Sequence, residues 1–357
     1  MSFESLCGPL VVGGFSGTSL PLLYQRALAI GRRGGAILFS SNVTGGPLQV
    51  AALAREVHRA LGAPLLAIDQ EGGRVARIRA PALIVPPMRT IGQWNDAALA
   101  ERIARAVGAQ LSVLGVTINF APVLDVDTRS DNPVIGDRAF GRDPAVCARM
   151  GAAWIAGLQG AGVLATGKHF PGHGDTALDS HVDLPVVDQD LDRIESVELM
   201  PFRAAVTAGV AALMTAHVVF PKLDACLPGT LSRSVCTELR ERIGFRGLLV
   251  SDDLEMSAIA AQAPAGDAAV LAVAAGCDVV LLCHSFDAQE EAVDALVFEA
   301  ERSPAFRARC EQASARGRDA RARATARPQD DDAIERVFMS QESSDLAEEI
   351  ASRLAES

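Results

Sequence analysis

The sequence predicts an α/β chain folded as a (β/α)8 TIM barrel with a C-terminal helical extension, and three observations carry that expectation. Eight short apolar runs recur along the chain, without the polar alternation of a strand that faces water, as in parallel strands buried on both faces. Alanine-rich stretches with helical spacing lie between them. Most of the runs end on a polar or charged residue, and barrel sites are assembled at the C-terminal ends of the strands. An open doubly wound sheet is the alternative, but no Gly-x-Gly-x-x-Gly follows the first run to support a dinucleotide fold.

The runs are residues 10–12, 36–39, 65–68, 116–120, 163–166, 212–215, 248–250 and 279–282. Helical spacing is clear in residues 97–114, 145–158, 199–208 and 267–275. From Glu301 the pattern changes. Residues 302–327 are rich in arginine and alanine, and Asp330, Asp331 and Asp332 follow Pro328. Ile334, Val337, Phe338, Leu346, Ile350 and Leu354 then recur near helical spacing. Two helices broken at Pro328 are expected, docked on the barrel or on a second subunit. The arginine run could meet nucleic acid, but the acidic segment beside it favours pairing within the chain. The division is a catalytic barrel over 1–300 and an extension over 301–357, dispensable for chemistry because every candidate residue precedes position 290.

With 357 residues, 49% hydrophobic and 4% aromatic, one large α/β core is expected. A net charge of −11 argues against general nucleic-acid affinity. No apolar run is long enough to span a bilayer, and the first residues carry no signal-peptide pattern, so a cytoplasmic protein without membrane contact is expected. Seven cysteines without a Cys-x-x-Cys pair suit reduced thiols used as small hydrophobes. No cofactor is expected, and no metal.

The densest chemistry lies in residues 168–181, where Lys168, His169, His173, Asp175, Asp179 and His181 share fourteen positions with two glycines and a proline. This stretch reads as a polar, glycine-hinged loop leaving the end of a buried strand. Other strand ends add Asp69, Asp125, His217, Asp252 and His284. Acid and base groups therefore gather on one face of the barrel.

Lys168-His169-Phe170-Pro171-Gly172-His173-Gly174-Asp175, continuing to Asp179-Ser180-His181, resembles the signature of bacterial β-N-acetylhexosaminidases of glycoside hydrolase family three. Asp69-Gln70-Glu71-Gly72-Gly73-Arg74-Val75, Asn119-Phe120-Ala121-Pro122-Val123-Leu124-Asp125, Gly136-Asp137-Arg138-Ala139-Phe140-Gly141 and Ser251-Asp252-Asp253-Leu254-Glu255-Met256 match as well, in order. The resemblance implies Asp252 as nucleophile and His181, paired with Asp179, as general acid/base. Asp69, Arg77, Arg138, Lys168 and His169 would hold the sugar ring. It also implies exo-hydrolysis of terminal β-N-acetylglucosamine with retained configuration, on muropeptides or chito-oligosaccharides. The chain lacks the large second domain of some relatives, so the acid/base must come from the histidine loop.

The residues fit those roles on their own chemistry. A retaining glycosidase needs a carboxylate nucleophile and a proton donor for the leaving oxygen. Asp252 ends a buried strand, which fixes its position; Asp253 is its decoy, since successive strand residues point to opposite sides. A histidine titrates near ~6.5, close to working pH, and Asp179 two residues back could orient His181. Arg138 and Lys168 offer several donors at strand ends and Asp69 accepts paired hydroxyls, while Arg74 and Arg77 read equally as a solvated face. His169 and His173 could instead only brace the loop. Two rivals remain: a phosphorylase on the same fold, and a hydrolase with a metal on His169, His173, Asp175 and His181.

Overall fold

The computed structural model of the protein describes residues 2–177 and 184–356. Eight parallel strands close into a barrel: β1 (Val11–Gly14), β2 (Gly35–Leu38), β3 (Leu65–Ile68), β4 (Ile118–Asn119), β5 (Leu164–Phe170), β6 (Ala212–Thr215), β7 (Leu248–Asp253) and β8 (Val279–Leu282). Each pairs with its chain neighbours, and β1 pairs with β8 to complete the ring. Both faces are buried for different partners. Leu65 and Ala67 of β3 fill the barrel with Val12, Ile37, Ile118, Met214, Val250 and Leu281, while Leu66 and Ile68 pack outward beneath the helices. That double burial removes polar alternation from the strands, so the expected fold class holds.

The helices start where their caps dictate. Asp96 accepts from Leu99 N at 3.0 Å, opening Ala97–Leu114, and Asp143 accepts from Ala145 N ahead of Pro144. Ser285, Ser303 and Asp330 cap three later helices in the same way. The C-terminal part holds three helices, Pro304–Arg323, Asp331–Phe338 and Gln341–Glu356, where two were expected. The break around Pro328 is present. The extra one comes at Ser340, whose hydroxyl caps Ser343 N at 3.2 Å and restarts the chain as a new helix. Ile334, Phe338, Leu346 and Ile350 are buried in the main core, so these helices dock on the barrel.

The arginine run pairs within the chain, but its partners are not the neighbouring acidic segment. The Pro304–Arg323 helix crosses the N-terminal end of the barrel, where Ala320 joins the interior cluster. Arg321 Nη2 donates to the carbonyls of Pro9 and Gly34 at 3.0 and 3.1 Å. Arg309 and Arg316 reach the fully buried Asp278 at 2.6 and 3.0 Å, joined by Arg240 at 2.7 Å and by Leu249 N. A sequence scan pairs charges that are near in the chain; barrel closure sets the nearer partner in space.

Breaking a buried ion pair leaves an uncompensated charge, here on three arginines at once. Asp278→Ala should lower stability by about 3–5 kcal/mol in a urea melt. Asp331→Ala, which removes the exposed Arg55 pair, should cost less than about 1 kcal/mol.

Candidate active site

A cleft of about 430 Å3 opens at the C-terminal end of the barrel, within the range of small-molecule sites. Ile37, Phe120, Met214 and Leu281 give it an apolar floor. Asp69, Glu71, Arg77, Arg138, Lys168, His169, His173, Asp252 and Asp253 line it above.

Its charged wall is built on β3. The chain leaves β3 at Asp69 and folds into a small hairpin, Gln70–Gly72 against Val75–Ala76. Gln70 pins the hairpin: its main chain exchanges two hydrogen bonds with the Asn119 amide, and its own amide binds Arg77 N, Ile78 N and Ile78 O. Lys168 Nζ then lies 2.8 Å from Asp69 and 2.6 Å from Glu71. Arg138 forks onto Glu71 at 2.8 and 2.9 Å, and Arg77 meets Asp69 at 3.1 Å. Burial opposes the charge of Glu71, but Arg138 and Lys168 outweigh it and hold the carboxyl far below its usual range. Lys168 is likewise pushed up, since Asp69 and Glu71 overcome its own burial.

Lys168, His169 and Phe170 belong to β5 rather than to a loop, which corrects the expectation from sequence. Between the pairs Gly167–Leu213 and Phe170–Thr215, β5 advances three residues while β6 advances two. This extra residue breaks strict alternation, so the consecutive Lys168 and His169 both reach the cleft.

Asp125 organises the chain beyond Lys168. Its buried carboxylate accepts from His169 N, from His173 N at 2.7 Å and from His169 Nδ1 at 2.7 Å. Nδ1 of His169 is thereby committed as the donor, leaving Nε2 as the nitrogen not bound to Asp125. Asp125 itself is held below its usual pKa: burial opposes its charge, and His169 and His173 outweigh it. His173 braces the loop through Thr176, 2.9 Å from Nδ1, and burial with the nearby His169 pushes its pKa down to about 4. Gly174 seats the turn, since a Cβ there would lie 1.8 Å from Val126 O. Asp175 accepts from Thr128 and Gln189. Among the described residues no three His, Cys, Asp or Glu side chains converge to hold a metal ion.

Asp252 and Asp253 both line the cleft, although one was expected to face away. The reason is again an extra residue: from Val250–Val279 to Asp253–Leu281, β7 advances three positions and β8 two. Ser251 Oγ takes the Leu281 N–H across the irregularity at 3.0 Å. The two carboxylates differ in proton affinity. Asp252 accepts from Asp253 N at 2.8 Å, and although burial opposes its charge, His217 and His169 keep it below its usual pKa. Asp253 binds Glu255 N and Cys283 N, and burial pushes it up to about 6. The ionised nucleophile candidate is Asp252.

Asp69, Arg77, Arg138, Lys168, His169 and Asp252 are thus brought together. Arg138 comes from the turn Gly136–Arg138 rather than a strand end. Arg74 lies outside the cleft lining and ties Val134 and Asp137 together. Asp179 and His181 lie outside the described residues. Sequence reasoning gave no role to Glu71 or Asp125. Glu71 sits two places after Asp69, where only its burial would have marked it; Asp125 was visible as a strand-end carboxylate.

Residues 25–313 match the glycosyl hydrolase family 3 N terminal domain. The chain is 43% identical over 292 residues to the Beta-hexosaminidase of Thiobacillus denitrificans, covering 80% of each. Its fold is similar to a glycoside hydrolase family 3 beta-N-acetylglucosaminidase from Paenibacillus sp. str. FPU-7, with a TM-score of 0.91 at 36% identity, covering 99% of this chain and 69% of that one. NagZ from Neisseria gonorrhoeae, solved in complex with N-trifluoroacetyl-D-glucosamine, gives a TM-score of 0.81 at 30% identity over 96% of this chain and 97% of that one.

Beneath the histidine stretch, Glu198 packs against Gly172, and among the described residues neither carboxylate oxygen finds a hydrogen-bond partner. Arg193 approaches to 3.4 Å without bonding geometry. Burial pushes Glu198 up to about 7. An acid with a raised folded pKa binds its proton more tightly when folded, so its stabilising contribution is full at low pH and is lost as pH rises through 7. Glu198→Gln should therefore change stability little at pH 4 and raise it at pH 8, by up to roughly 3 kcal/mol in urea melts at the two pH values.

Proposed function

The chain belongs to glycosyl hydrolase family 3, and on that premise we propose that this glycoside hydrolase is a retaining exo-β-N-acetylglucosaminidase. Asp252 attacks the anomeric carbon while the glycosidic bond breaks, and His181, oriented by Asp179, protonates the leaving oxygen. His181 then takes a proton from water, which attacks the same carbon and releases Asp252. Asp69, Arg77, Arg138, Lys168 and His169 hold the hydroxyls of the sugar. The carrying observation is the pairing of the low-pKa carboxylate of Asp252 at the end of β7 with a buried, charge-balanced wall facing it across a small cleft. A cleft of this size suits single terminal residues rather than a long chain. We place the reaction in cytoplasmic recycling of cell-wall fragments, with muropeptides as substrate. Six buried cysteine thiols and one exposed, none in a disulfide, agree with a reducing compartment. In this reading residues 1–300 carry the chemistry and 301–357 brace the barrel from below.

A 2-deoxy-2-fluoro glucoside inactivator, with fluorine in place of the acetamido group, should label Asp252, and Asp252→Asn should lose about 10⁴-fold or more in turnover. Label on Asp253 would move the nucleophile one residue. Products in phosphate buffer complete the test: free N-acetylglucosamine is expected, whereas N-acetylglucosamine 1-phosphate would make the protein a phosphorylase.

His181→Ala should slow sugar aglycones by ~10²-fold or more and nitrophenyl glycosides much less, because good leaving groups need little protonation. Equal losses on both substrates would exclude His181 as the proton donor.

A further inference from the structure

His217, just beyond β6, is fully buried and does not line the cleft, yet it stands behind the strand end that carries Asp252. Its Nε2 lies 2.8 Å from the main-chain oxygen of Asp253. A carbonyl oxygen only accepts, so Nε2 carries a proton. Its Nδ1 lies 2.7 Å from Thr230 Oγ1. Thr230 has one hydroxyl proton and two acceptors for it, Nδ1 and the Ala216 carbonyl at 3.1 Å; Thr215 Oγ1 lies 2.9 Å away as a further partner.

This arrangement accommodates either state of the imidazole without moving a heavy atom. When His217 is neutral, Thr230 donates to Nδ1. When it is charged, Nδ1–H donates to Thr230, whose proton turns to Ala216 O. The charged form makes one more hydrogen bond, which offsets part of the cost of burying the charge. Among the described residues, the titratable groups facing this strand end include Asp252 and Asp253 on β7, Lys168 and His169 on β5 and His173 beyond it, with the wall of Asp69, Glu71 and Arg138 across the cleft.

We infer that His217 is a positioning residue that carries a second proton in the free protein, braces the main chain at Asp253, and sets a positive charge behind the Asp252 carboxylate. That proton makes Asp252 a stable anion before attack. Once the ester has formed, the negative charge that favours the proton is gone; the ring gives that proton up to solvent, and the Thr230 hydroxyl turns back to donate to Nδ1 of a neutral ring. The inference rests on the reading of Asp252 as the nucleophile.

Histidine 15N NMR of the intact protein tests it, with the His217 signal assigned by its loss in His217→Gln or, should that variant not fold, by its shift in Thr230→Val. At pH 7 the free protein should show both ring nitrogens protonated; a neutral ring would overturn the inference whatever Asp252 does. After 2-fluoro glycosylation of Asp252 the same signal should turn to the neutral ring, and an unchanged signal on the labelled protein would overturn it. No label on Asp252 would sink the nucleophile reading alone, since the free-protein spectrum still decides His217. In His217→Gln, which keeps a donor for Asp253 O, the acidic limb of kcat/KM should move up by about one pH unit. A purely structural histidine would lower the plateau and leave the limb in place.

Discussion

A closed parallel barrel turns only every second residue of a strand toward its axis, and the site needs consecutive ones. This protein meets that constraint with one extra residue in β5 and one in β7, each set against a regular neighbour. The first turns both Lys168 and His169 into the cleft; the second does so for Asp252 and Asp253. With strict pairing, each dyad would lose one member to the helix-facing side. The charged wall, the histidine contact with Asp125 and the anion on β7 all depend on these two departures from regularity.

Placing so many charges at the mouth is costly unless each is compensated. The wall is arranged so that no carboxylate stands alone: Glu71 faces Arg138 and Lys168, and Asp69 faces Lys168 and Arg77. Asp125 is compensated differently, by main-chain and ring N–H donors. Asp253 has no lysine or arginine partner among the described residues, only two backbone donors and His284 at 3.5 Å, and burial leaves its proton affinity high. Two adjacent aspartates thus differ in proton affinity by their surroundings alone, as in other sites where paired carboxyl groups divide their roles.

Much of this was legible in the sequence, for physical reasons that also explain the gaps. The eight strands showed as apolar runs because both of their faces are covered, and Asp69, Lys168, His169 and Asp252 showed as polar residues at the ends of those runs. The register shifts were invisible, because they depend on the neighbouring strand. Read without them, β5 stops before Lys168 and only one of Asp252 and Asp253 can face inward. Arg138 looked like a strand-end residue but lies in a turn reached through the loop after β4. Glu71 was hidden in a glycine-rich turn where an exposed carboxylate would look identical. Arg309 and Arg316 were matched to the acidic segment beside them because the barrel end, where Asp278 lies, is distant in sequence.

The arginine helix under the barrel bears on the order in which the protein is made. Asp278 sits at the start of the last strand, while Arg309 and Arg316 follow it by 31 and 38 residues and Arg321 closes on Pro9 across 312. Chains fold as they leave the ribosome, N-terminal parts first. All eight strands are therefore synthesised before the arginines that neutralise Asp278 and meet the carbonyls of Pro9 and Gly34. Until then the nascent barrel has an open lower rim with a carboxylate still missing two of its three cations. The rim of the barrel closes only when this basic helix arrives, ahead of the two helices that follow it.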